Sequence, residues 1–90
     1  MLKEKIGFDA CINAIGKDFA IANKDNMVYS YGKTDLGLYC FLGISESECQ
    51  SDGLCLRSCI DEWDYYASCY VKDNDDVVMG KCKLPSLVPA

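Results

Sequence analysis

Phe8, Cys11, Ile12, Ile15 and Phe19 follow one another at spacings of 3, 1, 3 and 4, with Asp9, Asn13, Lys17 and Asp18 outside that set. This is the repeat of a single apolar stripe on a helix, and it predicts a helix from about residue 3 to about residue 22. Gly16 interrupts it. An interior glycine costs roughly 1 kcal/mol relative to alanine, and it serves equally as a C-terminal stop. In the second case residues 18–23, DFAIAN, form a short additional strand.

Beyond Asn23 the pattern changes to β-branched and aromatic runs separated by turn residues. Residues 27–31 and 38–44 flank a Gly/Thr/Asp turn, and residues 65–72 and 77–84 flank DNDD. Each pair reads as an antiparallel hairpin. Between them Cys55, Leu56, Cys59, Ile60 and Trp63 return to helical spacing, with Ser51 as N-cap and Asp52 at the positive end of the helix dipole. The predicted order is α-β-β-α-β-β. The fold class is α+β, a two-layer sandwich in which a four-stranded antiparallel sheet, built of two hairpins, carries one or two helices on one face. The two αββ halves show no residue-by-residue match, and residues 85–90 read as a tail.

Alternation along the strands sorts their side chains into two faces. One receives Leu38, Cys40, Leu42, Ile44, Ala67, Cys69, Val71, Val78, Gly80, Cys82 and Leu84, and is small and aliphatic. Cys11, Cys55 and Cys59 lie on the helical stripes, so six of the seven cysteines fall at core positions and only Cys49 lies off them. Free cysteine packs as a small hydrophobe. These residues therefore read as packing thiols of a reducing compartment, an odd number without a secretory leader. A two-residue turn at Asp75–Asp76 would instead set Cys69 opposite Cys82, within reach of a cross-strand disulfide.

Other chemistry finds little support. The run Cys49, Cys55, Cys59 has no C-x2-C pair and the chain has no histidine, which disfavours zinc and removes Ser-His and Cys-His catalysis. Asp73, Asp75 and Asp76 match a calcium loop only superficially, since the position for the last ligand holds Leu84. Arg57 lies near Cys55 and Cys59 in sequence but on another side of a helix. Asp61, Glu62 and Asp64 read as solvated charge. The expectation is a non-enzymatic protein without a cofactor.

The opposite face of the sheet receives Tyr39, Phe41, Gly43, Tyr66, Ser68, Tyr70, Val77, Met79, Lys81 and Lys83. If the helices cover the aliphatic side, this aromatic side is left open. Tyr, Phe and Met are enriched where proteins meet partners, so Tyr39, Phe41, Tyr66, Tyr70 and Met79 are the candidate binding residues. The expected use is docking a protein partner or a homodimer. A small-ligand sensor using the same face is the alternative, and a thiol-redox or Cys-metal protein the more distant one. A wetted antiparallel face stabilised by its own tyrosine pairs is the structural account of the same residues.

Composition narrows the partners. Ninety residues, half of them hydrophobic, make a single globular domain spanning 1–90. The net charge of −5 lies wholly in residues 45–90, where nine acids face four basic groups. No basic stripe offsets it, so nucleic acid is disfavoured as a partner. Polar residues interrupt every apolar stretch, so neither a membrane span nor a leader is expected, and the location expected is cytoplasmic.

Overall fold

The computed structural model describes residues 2–44 and 63–85. The first helix, α1, runs Lys3–Ile15 and the second, α2, Lys17–Ala22, followed by a 3-10 turn at Lys24–Asn26. Four strands come next: β1 Met27–Thr34, β2 Gly37–Ile44, β3 Tyr65–Val71 and β4 Val77–Lys83. They form one antiparallel sheet in the order β1-β2-β3-β4, with α1 packed on one side to give an α+β fold. The predicted helix over residues 51–63 lies outside the described residues, except for its last position.

Gly16 decides the course of the N-terminal segment. Its φ of 111° lies where L side chains are strained, and its amide bonds back to the Ile12 carbonyl. The chain then re-enters a helix, so residues 18–23 form no strand, and the predicted single helix is two. Gly7, Cys11 and Ile15, four residues apart, form the buried line of α1, while Phe8 and Ile12 flank it half-buried. That line meets Leu38, Cys40, Leu42 and Ile44 of β2 and Ala67, Cys69 and Val71 of β3. Phe8 packs edge-on to Tyr29, and Phe19 edge-on to Tyr65, each at 5.0 Å between ring centres. The aliphatic face predicted for β2 and β3 is therefore the one beneath α1.

The hairpins are tighter in one case and longer in the other than the pattern implied. Thr34 pairs with Gly37, leaving a two-residue turn at Asp35–Leu36 in which Thr34 Oγ1 bonds to both the Leu36 amide and the Gly37 carbonyl. In the second hairpin Val71 pairs with Val77. The Lys72 amide donates to the Asp76 carbonyl and the Asp75 amide to the Lys72 carbonyl, with Asp75 in the left-handed region at φ 69°.

That longer turn, with a bulge opposite Ser68, changes the register of β4. Cys69 opposes Met79 and Cys82 opposes Ala67, so the Cys69–Cys82 pair expected of a two-residue turn does not form. Directly opposed residues share a face. Val77 and Met79 therefore lie on the helix side with Val71 and Cys69, and Val78 lies on the aromatic side with Tyr70. The alternation reading had these three reversed, while Cys82 and Lys83 fall on the faces it assigned. Gly80 marks the bulge, since a Cβ there would come within 2.5 Å of Ser68 Oγ. Ser68 Oγ itself donates to the Lys81 carbonyl at 3.0 Å.

Candidate functional site

On the face away from α1, β2 and β3 set their aromatic residues directly across from one another. Tyr39 opposes Tyr70, Phe41 opposes Ser68 and Gly43 opposes Tyr66. Tyr39 and Tyr70 form a tilted pair with ring centres 5.3 Å apart, and Phe41 stacks on Tyr66 at 5.7 Å. Four of the five candidate residues are thus brought together. Met79 is not among them, because the longer β3–β4 turn sets it opposite Cys69, on the helix side of the sheet.

The face is not open along its whole length. Phe41 is only 2% exposed and Trp63 1%, and the Trp63 indole stands edge-on to Phe41 at 5.6 Å. A Cβ on Gly43 would sit 2.5 Å from the Trp63 ring, so the glycine supplies the floor on which the indole lies. Trp63 belongs neither to a helix nor to the aliphatic side, where helical spacing had put it. It precedes β3, and Lys83 Nζ holds its carbonyl at 3.3 Å. The accessible part of the aromatic face is the other end, where Tyr39 and Tyr70 are half-buried and Val78, opposite Tyr70, is 50% exposed. A shallow depression of about 240 Å³ lies there, lined by Tyr39, Ser68, Tyr70, Gly80 and Lys81.

The thiols concentrate on the opposite side. Cys11, Cys40 and Cys69 are free and fully buried where α1 crosses β2 and β3, whereas Cys82 is free and exposed on the outermost strand. The Cys11 thiol donates to the Ala67 carbonyl (3.4 Å) and the Cys69 thiol to the Gly7 carbonyl (3.7 Å). The hydrogen bond to Cys69, with burial, pushes the Cys11 thiol up, and burial pushes up Cys40 and the Tyr29 phenol. Cys69 goes the other way, to about 7, because Cys11 and Cys40 bond to it. Among the described residues no group of three or more Cys, Asp or Glu side chains is arranged to hold a metal ion, and no helix is long and apolar enough to cross a membrane. Cys49, Cys55, Cys59, Arg57, Asp61 and Glu62 lie outside the described residues. No protein-family model matches the chain, and no curated protein or solved structure is significantly similar to it.

Gly43 is the signal that alternation alone passed over. A glycine in line with Tyr39 and Phe41 leaves a hole in a strand, and such holes are filled by a ring from elsewhere in the chain.

Proposed function

We propose that this chain is a non-enzymatic interaction module that docks a protein partner, in the simplest case a second copy, through the Tyr39/Tyr70 end of its aromatic face. The observation that supports this reading is the half-buried tyrosine pair itself, with Val78 exposed beside it. Tyrosine brings contact area at a small loss of rotamer freedom, and its hydroxyl tolerates both water and a partner. A depression of about 240 Å³ is smaller than the roughly 300–1,000 Å³ that small-molecule sites occupy, which favours a protein over the ligand-sensor alternative. Three buried free thiols suit a reducing compartment such as the cytoplasm.

The reading is tested with Tyr39→Asp and Tyr70→Asp, by capture from a native lysate and by mass in solution over a concentration series. Both variants are expected to melt close to the wild type and to lose capture or self-association. Retained binding by both folded variants would refute the assignment. Phe41→Asp is expected to unfold instead, because it places a charge beneath Trp63.

A further inference from the structure

β4, one of the two edge strands of the sheet, carries a second surface. All seven residues of β4 are exposed, and Val77, Val78 and Met79 are 37, 50 and 44% exposed. They project to both sides of the sheet, two with the helix and one with the tyrosines. An apolar edge of this kind is a template for another strand. The charges on either side of it are ordered: Asp73, Asp75 and Asp76 precede the strand, and Lys81 and Lys83 end it, all of them exposed. Lysines on an edge ordinarily discourage pairing. Here Lys81 and Lys83 stand at one end of the strand, while at the other Lys72 lies among three acids of which Asp75 is already paired with Lys3, leaving Asp73 and Asp76 to face a partner.

We infer that β4 pairs antiparallel with β4 of a second copy of this chain, extending the sheet across a two-fold axis near Val78. A strand that is acidic at its start and basic at its end complements itself only in that direction. Antiparallel alignment lays the acidic turn of each copy beside Lys81 and Lys83 of the other, whereas parallel alignment stacks acid on acid and lysine on lysine. An axis normal to the sheet keeps both α1 helices on one side. Val77 of each copy then opposes Met79 of the other on the helix side, and the two Val78 side chains meet on the aromatic side. The bulge at Gly80 confines regular pairing to Val77–Met79, so the association is a weak one. It shares Val78 and Lys81 with the rim of the tyrosine end but needs neither Tyr39 nor Tyr70, so Tyr39→Asp separates it from the docking reading above.

The experiment is sedimentation equilibrium on the full chain over a wide concentration range at low and high salt, for the wild type, Lys81→Glu, Lys81→Glu with Asp76→Lys, and Tyr39→Asp. The expected result is a dimer that weakens with salt, weakens by about tenfold or more in Lys81→Glu, and recovers when the charges are exchanged. Tyr39→Asp leaves it intact, and the amides of Val77–Met79 gain protection from hydrogen exchange as concentration rises. A monomer at every concentration would overturn the inference. So would a dimer lost in Tyr39→Asp but indifferent to Lys81→Glu, a result that would leave the tyrosine-face reading standing.

Discussion

Gly7 is the residue at which α1 comes closest to the sheet, since a Cβ there would lie 2.1 Å from the Cys40 sulfur. Alanine is the better helix former by about 1 kcal/mol, but its methyl would force apart a packed interface at a cost of roughly 1–3 kcal/mol. Gly7→Ala is therefore expected to lower stability, read from the urea midpoint, whereas a substitution judged on helix propensity alone would raise it. The neighbouring thiols set a pH dependence. Cys11 and Cys40 titrate above the ordinary range in the fold, so they contribute stability that is complete below a free thiol's pKa of about 8.5 and is lost as pH rises beyond it. Stability read from thermal unfolding should accordingly hold steady up to about pH 8.5 and weaken above it. On the alkaline side stability should fall by up to about 1.4 kcal/mol per pH unit for each raised thiol, and a Cys11→Ala, Cys40→Ala variant should flatten that limb.

The hairpin turns show how a few backbone torsions propagate along an element. The β3–β4 turn puts Asp75 in the left-handed region, which Asn and Gly tolerate and Ala does not. Asp75 also meets Lys3 of α1 at 2.6 Å, tying the turn to the start of the helix and holding the Asp75 carboxyl below its usual range. Asp75→Asn and Asp75→Ala both remove that ion pair, but Asn keeps an oxygen that accepts from Lys3 as well as its tolerance of the left-handed backbone. Asp75→Asn is expected to melt at the higher temperature, and equal melting points would show that the turn relaxes. The register of β4 depends on this turn and on the Gly80 bulge together. The turn exchanges the faces of Val77, Val78 and Met79 relative to a simple two-residue turn, and the bulge returns Cys82 and Lys83 to the faces that alternation gives them.

Among the described residues α1 lies over the two central strands, and the edge strand β4 is left to solvent on both faces. This explains why Cys40 and Cys69, opposite each other at the centre, are sealed while Cys82 is not. In the native protein a thiol-blocking reagent should modify Cys82 within minutes and spare Cys11, Cys40 and Cys69, as read by peptide mass mapping, until denaturant is added. Rapid native labelling of Cys69 would show that the helix lifts from the sheet far more readily than its packing implies.

The one-dimensional pattern determined what depends on neighbours in the chain. Helical spacing placed Cys11 and Ile15 on a buried line. Strand alternation separated Leu38, Cys40 and Leu42 from Tyr39 and Phe41, and likewise Ala67 and Cys69 from Tyr66 and Tyr70. Turn-forming residues marked both hairpins. Tertiary structure decided what depends on contacts between distant residues. The β4 register hangs on where Ser68 meets Gly80. The cover on Phe41 hangs on the indole of Trp63 finding the gap above Gly43, a contact between residues twenty positions apart that no periodicity encodes. Whether an aromatic residue on a sheet is surface or core is set by what lies against it, and that is a property of the assembled chain.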